Sequence, residues 1–350
     1  MKRNRKLKYS LCAWLTLAAG VLTTTACSDD VESVDFNVRV EGTAVAGSPV
    51  TFVFEGNPDY ISFFSGETGE VYANRNRTNV SVESMSISYD MTQRYTTRAD
   101  FKEPIIHVLV SEDFSGSLTP EDIAAATWTE LSAQVGATTA EQPFPVPNPD
   151  AVEQNPTGYA NATDVDFSAY KDRPFYFAFR YLAPLHPTNT NGGSGNNTTY
   201  RAHPRVDVSS LCLSKVTAEG ETILADDMLN DWGFSTVFVN STTQTSYTVE
   251  STNLMFQPQN DHCDQPVEVW MISQHMDATS VEPDRGEPIK GTNTRVTTYE
   301  YTYTEPGTYT ATFIATNANM WDSKQTVREV TFEVTDPNAT PEEGGEATEG

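Results

Sequence analysis

The chain is short of basic residues. Its 350 residues hold 22 Lys and Arg against 48 Asp and Glu, a formal net charge of −26. Affinity for nucleic acid comes from Lys and Arg neutralising phosphates, so this balance excludes a phosphate-backbone partner. Apolar residues reach only 38%, too few for an integral membrane bundle. Histidine and cysteine are scarce, at five and four. The His stand apart at 107, 186, 203, 262 and 275. Asp261-His262-Cys263-Asp264 is the one tight cluster of ligand-type side chains. Neighbours on an extended chain point to opposite faces, so the four do not converge on one ion. The sequence has no Gly-x-Ser-x-Gly elbow, His-Glu-x-x-His, P-loop or Gly-x-Gly-x-x-Gly; each would be the signature of a specific chemistry. Aromatics, by contrast, reach 11%, which excludes a wholly disordered chain.

The N-terminus carries an address. Lys2, Arg3, Arg5, Lys6 and Lys8 precede an apolar and small-residue run, Ser10 to Thr25, and then Ala26-Cys27. This is the secretory pattern. The small residues before Cys27 resemble a bacterial lipobox, which implies cleavage after residue 26 and a lipid on Cys27. Ser28-Asp29-Asp30 resembles the surface-export signal of Bacteroidetes lipoproteins, which implies the outer membrane with the chain facing the medium. Removing five basic and no acidic residues leaves 17 basic against 48 acidic, a net charge of −31. Such a surface favours neutral or cationic partners. Of the remaining Cys, Cys212 and Cys263 either pair as a disulfide or sit as buried thiols.

Strand signals dominate the rest. Val34 to Val40, Ser48 to Phe54, Tyr60 to Phe64 and Asn79 to Tyr89 show period-two alternation or short apolar runs between turn residues. Ile105 to Val110 is apolar throughout. Phe175, Phe177, Phe179 and Tyr181 fall on one face of a strand, with Tyr176 and Arg180 on the other. Gln142 to Gly158 and Pro187 to Asn197 read as loops. A short helix is predicted after Thr119, which caps it, with Pro120 at its first position. Thr297 to Tyr303, a Glu305-Pro306-Gly307 turn, Thr308 to Ala315 and Val327 to Val334 predict a hairpin and an edge strand. The expected class is all-β.

Two resemblances sharpen this. Tyr301 to Ala311, with its Pro-Gly turn and alternating Tyr, is similar to the closing hairpin of PKD-like, immunoglobulin-like sandwiches. Gly56-Asn57-Pro58-Asp59-Tyr60-Ile61-Ser62-Phe63-Phe64-Ser65-Gly66-Glu67, with Pro283-Asp284 to Lys290-Gly291 and Ala315 to Asn319, resembles the Bacteroidetes lipoprotein family called domain of unknown function 5017. The family implies a central jelly-roll, galactose-binding-like sandwich and a place beside glycan-uptake systems. The expected organisation is a signal peptide (1–26), an acidic tether (27–33), an Ig/PKD-like segment (34–98), a jelly-roll sandwich (99–264), a PKD-like segment (265–335) and an acidic disordered tail (336–350). The outer segments either stand alone or join into one sandwich interrupted by the jelly roll.

No catalytic constellation is read, so the expected role is non-catalytic: binding extracellular glycan as an accessory to an outer-membrane uptake complex. Alternatives are an adhesion module meeting another protein through an edge strand and a glycoside-cleaving enzyme. Trp321 and Trp232 lie in polar turns and Tyr200 in a Gly/Asn loop, which makes them candidate stacking platforms. Trp128 and Trp270 read as core residues. No cofactor is called for beyond a structural Ca²⁺, for which Asp113, Asp164 and Asp166 are candidate donors. Arg75 and Arg77 read as partners for the abundant acids.

Overall fold

A computed structural model describes residues 30–94, 104–147, 158–183, 204–241, 246–258 and 266–338. The expected signal peptide, Cys27, Tyr200, Cys263, the loop from Pro187 to Asn197 and nearly all of the acidic tail lie outside these residues. In chain order the strands are β1 (Phe36–Glu41), β2 (Ala44–Val45), β3 (Pro49–Gly56), β4 (Tyr60–Phe64), β5 (Val82–Arg94), β6 (Ile106–Ser111), β7 (Thr129–Glu130), β8 (Ser132–Gln134), β9 (Phe144–Val146), β10 (Gly158–Asp166), β11 (Tyr176–Ala183), β12 (Arg205–Thr217), β13 (Gly220–Ala225), β14 (Ser235–Asn240), β15 (Tyr247–Glu250), β16 (Asn253–Phe256), β17 (Val267–Ile272), β18 (Glu287–Lys290), β19 (Thr298–Thr302), β20 (Gly307–Ala318) and β21 (Ser323–Thr335). The short helix α1 (Pro120–Ala125) begins where predicted, with the Thr119 side chain accepting the Asp122 N–H at 3.2 Å. The chain is all-β, and its sheets pair into sandwich-like arrangements. Among the described residues no helix is long and apolar enough to cross a membrane.

The chain forms two compact units. The first is assembled from both ends, up to Asn76 and from Pro283 onward. Its sheets run β1-β3-β19 and β18-β4-β20-β21-β2. Phe52, Phe54 and Phe63 come from the N-terminal part, and Phe313 and Tyr303 from the C-terminal part. These rings form one core, with Phe52 and Phe313 centroids 5.1 Å apart. Burying such rings is the dominant favourable term, and neither chain end has enough strands to do it alone. The predicted hairpin around the Pro-Gly turn is corrected here. β19 pairs with β3, while β20 pairs with β21 and β4. The turn carries the chain from one sheet to the other, because Tyr303 is drawn into the core and donates to the Ser65 carbonyl at 2.9 Å.

The residues that carry the family resemblance work as structure in this unit. Gly56 and Gly66 have φ of +94° and +85°, and a Cβ at either would strike the backbone of Asp35 or Thr310; only glycine fits. Buried Asp284 accepts the Val71 N–H at 2.9 Å. Buried Lys290 donates to the Asp59 carbonyl, and Asn317 accepts the Asp59 N–H.

The second unit spans Arg77–Glu282. One sheet runs β10-β5-β12-β16-β15, with β13 on β12, and the other β14-β17-β11-β6-β7. Phe175, Phe177, Phe179 and Tyr181 all face the core between them, at 1% exposure or less. The boundaries differ from those expected. β5 and β17 belong to this unit, because Ile87, Tyr89, Met91, Val269 and Met271 complete its core. The stretch after Gln142 is not all loop: Phe144–Val146 pairs in parallel with β8 and buries Phe144 completely.

Candidate functional site

The outer face of the β14-β17-β11-β6-β7 sheet carries its own apolar cluster. Alternation sends Ala178 and Arg180 outward from β11, Glu268, Trp270 and Ile272 from β17, His107 and Leu109 from β6, and Val237 from β14. Helix α1 brings Ile123 onto this face, and Phe114, Trp128 and Tyr176 complete the cluster. Trp128 is fixed by its indole N–H, which donates to the Ile123 carbonyl at 3.1 Å.

Beyond α1 the face opens into a cleft of about 560 Å³, lined in part by Trp128, Trp270, Arg180, Glu268, Glu130 and Val239. The two indoles meet at 5.0 Å and 51°, a tilted contact worth about 0.5–1.5 kcal/mol beyond area burial. Arg180 lies 5.2 Å from the Trp270 ring centre. Its Nε donates to Glu268 Oε1 at 2.8 Å, and Trp270 Nε1 donates to the same oxygen at 2.9 Å. No bond to Glu268 Oε2 is present among the described residues. Glu130 is held by Ser132 and by His107 Nδ1, 3.2 Å away. The cleft thus presents the half-buried ring of Trp128, backed by buried Trp270, beside a guanidinium and two oriented carboxylates that are half-buried. Its features suit a ligand with an apolar face and many hydroxyls: the Trp128 ring for the face, fixed donors and acceptors for the rim.

The candidate residues have different fates. Trp232 is corrected: it is fully buried in the core between the sheets, 5.3 Å from Phe177 and stacked on Phe234 at 5.7 Å. A ring with no accessible surface stacks on no ligand. Its polar neighbours misled the reading because the turn ends at Asp231, whose backbone carbonyl accepts from Gln274, and the chain then dives inward. Trp321 is 69% exposed, at the tip of the β20–β21 hairpin. Trp270, read as a core residue, is buried at 3% exposure, in the cluster on the outer face of the sheet rather than in the main core. Trp128, read the same way, is half-buried and packs against that cluster.

The three candidate metal donors do not form a set. Asp113 accepts the Thr127 N–H at 2.8 Å and the Ser111 hydroxyl at 2.9 Å, and these bonds hold its carboxyl below the usual range. Asp166 accepts the Ser168 N–H at 2.9 Å and is lowered for the same reason. Asp164 accepts from Ser88 at a bulge of β10, with φ of +47°. Their oxygens already serve turns, and among the described residues no three His, Cys, Asp or Glu come together as ligands. Cys212 carries a free thiol on β12; its expected partner Cys263 lies outside the described residues. Arg77 pairs with Glu219, while Arg75 donates to the Tyr72 carbonyl and covers the Tyr72 ring at 3.9 Å.

No curated protein matches the chain. One family does, over residues 26–232. The match takes in Trp128, Glu130 and Arg180 and stops short of Glu268 and Trp270. The chain therefore belongs to the family described as Domain of unknown function (DUF5017).

Proposed function

We propose that the protein is a non-catalytic lipoprotein of the bacterial outer membrane, anchored through Cys27 and facing the medium, where it binds extracellular carbohydrate beside an uptake complex. On this reading the second unit is a jelly roll, and the first is an Ig/PKD-like sandwich split by it. The observation that carries the reading is the cleft in which Trp128 and Trp270 adjoin the Arg180–Glu268 pair. Sugars present axial C–H faces to aromatic rings and hydroxyls to planar ionic groups, and charge-assisted bonds of this kind are the strong ones. Glu268 Oε2 accepts a ligand hydroxyl while Oε1 is held by the protein. The net charge disfavours sulfated or uronic-acid polymers.

Affinity electrophoresis of the mature chain against a panel of neutral polysaccharides tests this. Retardation by at least one polymer is expected, and Trp128→Ala and Glu268→Gln should abolish it without changing the far-UV circular dichroism. If no polymer retards the wild type, the reading fails. A second reading rests on the two carboxylates, Glu130 and Glu268, that line the same cleft, since paired acids run glycoside hydrolysis. Release of reducing sugar by the wild type, lost in Glu268→Gln, would replace binding by hydrolysis.

A further inference from the structure

The β20–β21 hairpin ends in a tip that exposes Met320 at 82% and Trp321 at 69%. The tip is built, not loose. Asn319 Oδ1 accepts the Trp321 N–H at 2.8 Å and the Asp322 N–H at 2.9 Å, and the Asn319 N–H returns to the Asp322 carbonyl at 3.0 Å. Tyr60, in register with Thr316 on the neighbouring strand, adds a ring at 44% exposure. Met320, Trp321 and Tyr60 together make a small exposed apolar patch, and such patches mark protein or membrane contacts where single exposed residues do not.

The same hairpin also holds the start of the described chain. Val31 is buried, and its carbonyl accepts from Lys324 Nζ. The Glu32 carbonyl accepts from Asn317 Nδ2 at 3.3 Å. Lys324 and Asn317 stand on the two strands that flank the tip. From Asp30 back to Cys27 is three residues, at most about 11 Å of extended chain.

We infer that the Met320–Trp321 tip is a membrane-contact element, seated in the interfacial layer of the leaflet that holds the lipid on Cys27. This rests on the lipoprotein reading above. The short leash brings the hairpin down to the bilayer, and Trp with its apolar body and polar N–H belongs at that depth. The contact is apolar, not electrostatic. Asp322 sits in the tip and Asp59 accepts the Ala318 N–H, two acids against the one ammonium of Lys324, which keeps its charge while it donates to the Val31 carbonyl. Zwitterionic surfaces are therefore favoured over anionic ones. Two attachment points, lipid and tip, fix the orientation of the first unit on the membrane, as one acyl anchor alone does not.

The test uses the full chain expressed in a Gram-negative host, purified with its own N-terminus and reconstituted in vesicles of phosphatidylcholine carrying brominated acyl chains. Mass spectrometry of the N-terminal peptide reports the lipid on Cys27. Trp128 is half-buried, and Trp232 and Trp270 are buried, so bromine quenching reads chiefly Trp321. Strong quenching is expected in the wild type and its near-complete loss in Trp321→Ala, with weaker quenching in phosphatidylglycerol vesicles. Equal quenching in wild type and variant, on protein that carries the lipid, overturns the inference. So does loss of polysaccharide retardation in Trp321→Ala with membrane quenching unchanged, which would make the tip a sugar platform. If Cys27 carries no lipid, the lipoprotein reading fails on its own account. The tip is then decided in the same vesicles with a nickel-chelating lipid and a hexahistidine tag placed before residue 28.

Discussion

The turn before Trp232 and the turn that carries Trp321 are closed by the same device and deliver their indoles to opposite places. Asp227 Oδ1 accepts the N–H groups of Leu229 and Asn230, each at 2.9 Å. Asn319 Oδ1 does the same for Trp321 and Asp322. Both are side-chain mimics of a backbone turn. The difference is where Trp falls. At Asn319 it is the second residue on and stays at the crest of the turn. At Asp227 it is the fifth, past the crest, where its own N–H returns to the Asp227 carbonyl at 3.0 Å and the chain is already heading into the sandwich. Polar company in sequence therefore says that a turn exists, while the offset from the capping Asx decides whether an aromatic is offered or buried.

The largest effect that follows is on stability. Trp232→Ala empties a fully buried indole site and should cost about 3–5 kcal/mol in urea unfolding of the second unit, whereas Trp321→Ala should stay within about 0.5 kcal/mol. Similar costs at the two sites would break the comparison. Trp232→Phe sharpens it. The indole N–H is buried without an acceptor among the described residues, so removing it while keeping a ring should cost far less than Trp232→Ala.

Alkali comes next and acts on both units. Burial pushes Tyr89 and Tyr181 up in the second unit and Tyr303 in the first; burial, together with the bond to Glu67, pushes Tyr301 up to about 12. A raised phenol keeps its proton in the folded state after the unfolded chain has lost it at the ordinary value of 10.0. The unfolded state then binds fewer protons, so stability falls as pH rises above 10. Each deeply buried Tyr contributes up to about 1.4 kcal/mol per pH unit. Urea titrations at pH 9, 10 and 11 should show this slope, and Tyr181→Phe should flatten it in the second unit alone. A flat profile in the wild type would contradict the burial of these rings.

In the cleft, Glu268→Ala strips the acceptor from Arg180 and from Trp270 Nε1 at once. A cost of about 1–3 kcal/mol is expected by urea unfolding. Because Arg180 remains partly solvated, the lower end is the better guide. Glu268→Gln keeps an acceptor in place and should recover most of it. An unchanged midpoint in Glu268→Ala would mean that the pair orders the cleft without supporting the fold.

Much of this was legible before any coordinates. Alternation marked β1, β5, β11 and β20, because a half-buried strand leaves a period of two in its side chains, and short apolar runs between turn residues marked β3 and β4. Thr119 and Pro120 marked α1, because capping is local. Pairing across sheets was not legible. The sequence around Glu305-Pro306-Gly307 looks like a two-stranded hairpin, yet Tyr303 prefers the core opposite, and only the packing of Phe52, Phe63 and Phe313 decides that. The site was half legible. Arg180 was placed on the outward face of its strand, but the layer that covers that face comes from α1 and Trp128, far off in sequence. Trp270 was read as core and is buried, but which side of the sheet it buries against was not legible, because an outer-face cluster and an inner core leave the same apolar pattern on one strand.

The smallest effect separates the two Asx turns by pH. Bonds from Asn230 and Leu229 hold the Asp227 carboxyl below its ordinary value of 3.8. Their contribution is therefore complete above that value and is lost as pH falls through the lower, folded one. Asn319 carries no titratable group, so its turn has no such loss. Amide exchange at Leu229 and Asn230 should accelerate on acidification beyond the intrinsic pH dependence, while that at Trp321 should not. Asp231 is a second carboxylate in this turn, accepting from the N–H groups of Asp226 and Asp227, so the deciding variant is Asp227→Asn. It converts the first turn to the chemistry of the second, and should leave Trp232 buried while removing the acid dependence at Leu229. If the dependence survives in Asp227→Asn, Asp231 is the group that closes the turn, and the likeness to Asn319 ends at the geometry.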